Sequence, residues 1–238
     1  MISFCVRLAH VGKRQDARER IERQIIELGR RQLGTDGAAG LSLRAIARDL
    51  GMVSSAVYRY VSSRDELLTL LLVDAYTELA DAVDAAVAAA GPDWRDQVKA
   101  IGRATRAWAV AQPACWALLY GSPVPGYRAP AERTVGPGTR VIGTLFSAVD
   151  AGIAAGAVRS AEVSVSQPLS ADFARLREEF GFSGDNAAVV KCIVLWTGLV
   201  GAVSIEVFGQ YGPDTLSDPA AVFELQLDLL VGALAEAS

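Results

Sequence analysis

The stretch Leu43-Arg-Ala-Ile-Ala-Arg-Asp-Leu-Gly-Met-Val-Ser-Ser-Ala-Val-Tyr-Arg-Tyr60 constrains the fold more than any other. Two short helices packed steeply around a tight turn need three things. A small residue must sit where their axes approach, and Ala47 supplies it. The turn needs a residue that accepts positive φ, and Gly51 does so. The second helix needs an apolar side chain facing back, and Val57 fits, with Ile46 and Leu50 completing a small core. An ordinary αα-corner also favours Gly at its bend. The outward positions argue for more than a corner: Ser54, Ser55, Arg59 and Tyr60 can all hydrogen-bond, and Arg44, Arg48 and Arg64 flank them.

Charge distribution points the same way. Residues 1–66 hold 12 Lys and Arg against 8 Asp and Glu, whereas residues 67–238 hold 11 against 19. A net charge of −4 for the whole chain hides this asymmetry. A basic end on an acidic chain suits a polyanionic partner and speeds encounter with phosphate backbones.

The rest reads as helices. A first helix is expected over residues 16–33, capped by Asp16, with Ala17, Ile21, Ile25 and Leu28 on one face. Ser42 caps a second over 43–50, and a third follows over 54–60. Ser63 and Glu66 form a capping box ahead of the apolar run Leu71, Ala75, Leu79 and Val83, which stops at Gly91-Pro92. Asp93 opens a helix interrupted at Pro113, and a short helix over 114–120 precedes a Pro/Gly-rich loop over 121–130. Further helices are expected over 138–155, 172–180, 185–208 and 218–235, with a loop over 156–170. The fold class is therefore all-α: a three-helix helix-turn-helix unit over residues 1–66, including a basic arm, and a larger helical unit over 67–238. Within the arm, Arg14 is assigned to phosphate, and Arg18 and Arg20 to a solvated helix face.

Several function classes drop out. Cys5, Cys115 and Cys192 with the lone His10 give neither a disulfide framework nor a zinc spacing, so no metal and no cofactor is expected. No phosphate-binding glycine loop, nucleophile elbow or His-bearing triad occurs, which leaves no catalytic residue to name. Met1–Val6 is too short for a secretory h-region before Arg7, and the longest uncharged apolar stretch, residues 192–205, is too short to span a bilayer. A cytoplasmic chain without membrane association is expected.

The run from Gly51 through Tyr58-Arg-Tyr60 to Arg64-Asp-Glu-Leu67-Leu resembles the DNA-binding domain of TetR-family transcriptional regulators, over about residues 16–70. Three positions depart from the family pattern. Val53 replaces a capping Ser, moving the cap to Ser54; Ala56 replaces a phosphate-binding Thr; Arg64 replaces Lys. Trp108 through Pro113, Trp116 and Tyr120 to Tyr127 and Pro130, together with Trp196-Thr-Gly-Leu-Val-Gly201, resemble the family's Trp-His-Gly subgroup of ligand domains. The naming His is Val200 here, so no role of that His carries over.

The resemblance implies a double-stranded DNA operator as partner. Arg44, Ser54, Ser55 and Arg59 would read or line the major groove. Ser42, Tyr58, Tyr60 and Arg64 would hold phosphates, although Tyr58 could equally pack in the small core. It also implies a homodimer through the last two helices and a pocket for a small, largely apolar effector, with Trp108, Trp116, Tyr120, Phe146 and Trp196 as candidate walls. Gly198, Gly201, Ala202 and Ser204 would permit close helix crossing. The expected function is a repressor released from a palindromic operator by its ligand; the alternative is an activator, or an adaptor that binds a protein instead of a ligand.

Overall fold

The computed structural model describes residues 2–158 and 163–235, with side chains from Gln15 onward. The side chains of Cys5, His10 and Arg14, and so the proposed phosphate contact of the arm, lie outside the described residues. Ten α-helices and one 3-10 turn account for the regular structure, and no strand occurs among the described residues. The first helix, α1, spans Ile2–Asp36, so Asp16 lies inside it and caps nothing. One Gly and no Pro precede Asp16, and a single Gly weakens a helix without ending it. Gly37, at φ +66°, ends the helix and the 3-10 turn Ala38–Gly40 follows.

Helix α2 spans Leu43–Asp49, with the Ser42 hydroxyl accepting from the Ala45 N–H at 3.3 Å. The turn behind it is closed by backbone bonds from Gly51 N–H to Arg48 C=O and from Met52 N–H to Ala47 C=O. Gly51 sits at φ +64°, as the motif requires. Helix α3 is shorter than expected, Ser54–Val57, because the bonds of Arg59 and Tyr60 tighten to residues three back. Its cap is Val53, which offers no side-chain acceptor; the cap does not move to Ser54, the first helical residue. Ile46, Ala47 and Val57 are fully buried against Ile25, Leu28 and Val61.

Helix α4, Arg64–Ala89, is shared between two hydrophobic clusters. Leu67, Leu68 and Leu71 close the N-terminal core, while Ala75, Leu79, Ala80 and Val83 belong to the larger one. Only half of the capping box forms: Ser63 accepts from the Glu66 N–H at 3.0 Å, but the Glu66 carboxylate binds Arg133 at 2.8 Å instead of returning to Ser63. Arg30 ties α1 to α4 through Asp74 and Glu78, at 2.6 and 2.5 Å.

Helix α5, Trp94–Ala111, is capped by Asp93, and α6, Pro113–Tyr120, begins where Pro113 breaks the chain. Helix α7, Ala131–Ala154, starts seven residues earlier than expected and runs through Pro137. Buried Thr134 and the Arg133–Glu66 pair anchor its first turn and offset the hydrogen bond that Pro137 cannot make. Helix α8, Leu169–Phe180, also starts earlier, and α9 and α10 span Asn186–Val207 and Pro219–Ala235. The last two cross closely: a Cβ on Gly198 would lie 2.8 Å from Leu230, whereas one on Gly201 would meet open space. Ala202 is buried, and Ser204 accepts a hydrogen bond from Trp116 Nε1 at 3.1 Å.

Cys115 and Cys192 are free and buried; burial pushes the Cys192 thiol up to about 12. Helix α9 departs from its expected burial on every face. Val189, Cys192, Leu195, Leu199 and Val203 are core, but Ile193, Val194 and Ile205 are exposed. With 22 residues it is also long and apolar enough to cross a membrane by composition alone, where the uncharged run had looked too short. Lys191 lies within it, and its inward side packs against α5, α6, α7 and α10.

Replacing Gly51 with Ala tests the turn. Its Cβ would touch nothing, so the cost is that of the left-handed backbone alone, about 1–2 kcal/mol. Urea unfolding should register it, with an unchanged m-value.

Candidate nucleic-acid interface

Ser42 and Arg44 stand at the start of α2, Ser54 and Ser55 open α3, which packs on α2, and Tyr58 and Arg59 lie just beyond. Arg44, Ser55 and Arg59 are exposed, and Tyr58 is 44% exposed, so Tyr58 is no part of the small core. Arg44 and Arg59 make no ion pair among the described residues, which leaves both guanidiniums open to an outside anion or base edge. Ser42 is half-buried and held by α1: its N–H donates to Gln32 Oε1 at 2.9 Å. Its hydroxyl accepts from Ala45, and a hydroxyl that accepts can still donate outward.

Two expected phosphate ligands are engaged within the chain. Tyr60 packs against the N-terminal core, with the Arg18 guanidinium 5.6 Å from its ring centre. Arg18, read from sequence as a solvated charge, thus stacks on Tyr60 while pairing with Glu22 at 2.7 Å. Arg64 Nη2 donates to the Ala38 carbonyl at 2.8 Å and pins the 3-10 turn to α4. Arg48 is the surface charge expected. Gln32 escaped the sequence reading, because nothing local marks a glutamine near a helix end as the support of a residue ten positions on.

Away from the helix-turn-helix, three of the five candidate ligand residues meet. The Trp116 and Tyr120 ring centres are 4.3 Å apart, and Trp196 stands edge-on to Tyr120 at 6.1 Å. Tyr76 of α4 joins them at 6.5 Å from Tyr120, a partner the sequence reading missed by following only the aliphatic stripe of that helix. Burial pushes the hydroxyls of Tyr120 and Tyr76 to higher pKa, so both stay protonated donors. Phe146 lies in the same core, but its ring contacts are Phe180 and Phe182, at 5.0 and 4.9 Å. Trp108 is buried with its Nε1 unpartnered. A 250 Å³ cavity between α9 and α10, lined by Val190, Lys191, Val194 and Leu230, includes none of the five.

The two regions touch through named contacts. Tyr127 Oη and Thr69 Oγ1 share a hydrogen bond of 2.9 Å across 58 residues of sequence. Arg133 holds Glu66, and Ala114, Leu118, Val124 and Tyr127 pack on the N-terminal core.

An all-helical chain with this helix-turn-helix at one end, and with Arg44 and Arg59 exposed on it, is a DNA-binding regulator by class. Comparison with known proteins specifies it. Residues 25–71 match the family model of bacterial regulatory proteins of the tetR family, and residues 98–230 match the tetracyclin repressor-like C-terminal domain. HTH-type transcriptional regulators Mb1846 of Mycobacterium bovis and Rv1816 of Mycobacterium tuberculosis are each 65% identical over 227 residues, covering 95% of this chain and 97% of theirs. The crystal structure of SCO4313 superposes with a TM-score of 0.73 at 32% identity, over 92% of this chain and 98% of that one. A Rhodococcus protein of unknown function shares the fold, with a TM-score of 0.69 at 22% identity over 91% of this chain and 96% of its own. The chain belongs to the TetR family of transcriptional regulators. It is not an enzyme, since the family and the two mycobacterial relatives are transcriptional regulators.

The geometry separates the arginines experimentally. Arg59→Ala should leave thermal stability unchanged and weaken DNA binding while relaxing the sequence preference at the base pair it faces. Arg64→Ala should instead lower stability, by roughly 1–2 kcal/mol, because it frees the Ala38 carbonyl.

Proposed function

We propose that this protein is a homodimeric, cytoplasmic repressor, released from a palindromic operator by a small, largely apolar ligand. Residues 1–66 supply the DNA-binding unit and residues 67–238 the effector and dimerisation unit. Arg44, Ser54, Ser55 and Arg59 read or line the major groove and Ser42 and Tyr58 set the register on phosphates, while Tyr60 and Arg64, engaged by the core and by the Ala38 carbonyl, support the unit from within.

The observation that carries this reading is the apolar face left open on α9 and α10. Val194, Leu225 and Leu229 are 53, 65 and 75% exposed, and Ile193 and Ile205 continue the patch. A soluble chain seldom leaves such a surface bare. A second copy packed on it by two-fold symmetry buries the same residues on both sides and makes a four-helix interface.

For the effector, the aromatic group of Tyr76, Trp116, Tyr120 and Trp196 is favoured over the ring contacts of Phe146. It joins α4, α6 and α9, and α4 and α6 both reach the N-terminal core. A ligand that separates these rings shifts α4 and α6 together. The Tyr127–Thr69 and Arg133–Glu66 contacts then transmit the shift to the recognition helix. Release follows if the ligand favours the conformer whose two recognition helices no longer match the half-site spacing.

Leu229→Glu should convert the dimer to monomer in sedimentation velocity while the helical circular dichroism is retained. Selection from a random duplex pool should enrich an inverted repeat, and Arg44→Ala should abolish the enrichment at some base pairs. A selected site without two-fold symmetry would count against the dimer.

A further inference from the structure

Val53 is 71% exposed, the most exposed large apolar side chain among the described residues of the DNA-binding unit. It stands at the cap of α3, a position that favours Ser, Thr, Asp or Asn, and it makes no capping hydrogen bond there. Its backbone is fixed: the Val53 carbonyl accepts from the Ala56 N–H at 2.9 Å, and the preceding Met52 N–H is bonded to Ala47. The side chain therefore projects from a fixed backbone, immediately before half-buried Ser54 and exposed Ser55. In a helix-turn-helix the N-terminal residues of the second helix meet base edges in the major groove. One base edge there carries an apolar group, the C5-methyl of thymine.

Resting on the DNA-binding reading, we propose that Val53 is a specificity-determining residue that recognises a thymine methyl in each half-site. The isopropyl group cannot hydrogen-bond, so it discriminates by burying a methyl group against its own. It leaves the hydrogen-bonding edges of neighbouring base pairs to Arg44, Ser54 and Ser55. Its exposure in the free protein is what makes the contact favourable: both surfaces leave water only in the complex.

The test removes the methyl from the DNA, so it does not depend on how a variant folds. Each thymine of the selected half-site is replaced in turn by deoxyuridine, and affinity is measured for the full-length protein and for Val53→Ala. One position per half-site should weaken the unchanged protein roughly fourfold on loss of its methyl, the worth of one buried carbon. Val53→Ala should bind the thymine and uracil duplexes equally. Equal losses in both proteins, no loss at any thymine, or a half-site with no constant thymine each overturn the assignment. Failure of the unchanged protein to bind any duplex would instead overturn the DNA-binding reading beneath it.

Discussion

Helix α4 is the member on which both halves of the molecule depend. Its first turns complete the core beneath the recognition helix through Leu67, Leu68 and Leu71, and its remainder is core to the larger unit. Neither cluster can rearrange its share of α4 without carrying the helix, and interiors packed at crystal-like density respond by shifting whole elements. The hydrogen bond of Thr69 and the ion pair of Glu66 lie on the same opening turns. The opening turns of α4 thus share one core with α2 and α3 and carry the contacts to Tyr127 and Arg133.

What was legible in the sequence was what local chemistry determines. Ser42, Gly51 and Ser63 each act within three residues of themselves, and the structure assigns them the roles read from their type. The Ala47–Val57 packing spans ten residues and followed from the motif. Helix limits were less legible where a breaker was absent or overruled. Nothing before Asp16 stops α1, and Pro137 is carried inside α7 because tertiary contacts secure the turn before it.

Contacts between distant residues were not legible at all. Tyr58 and Tyr60 are two residues apart in a tight turn, and only the approach of α1, with Arg18, decides which ring is covered. Arg64 is a basic residue beside the motif in sequence, but the 3-10 turn brings it a carbonyl to hold. The aromatic candidates show the same limit: composition could nominate five rings, whereas only the helix packing separates the Trp116–Tyr120–Trp196 group from Phe146. For α9, hydropathy could not say which apolar face is core and which is left bare.

The half-formed capping box leaves the Glu66 carboxylate to a partner outside its own helix. Glu66 has two destinations, Arg133 of α7 or the N–H of Ser63 at the start of its own helix, and it takes the first. A carboxylate that lets go of Arg133 does not return to bulk water alone; the helix end waiting beside it accepts it. The cost of opening this pair is therefore lower than that of breaking an ion pair whose acid has nowhere else to go. Local helix chemistry, which usually only decides where a helix begins, here competes with a contact between α4 and α7 for the same carboxylate.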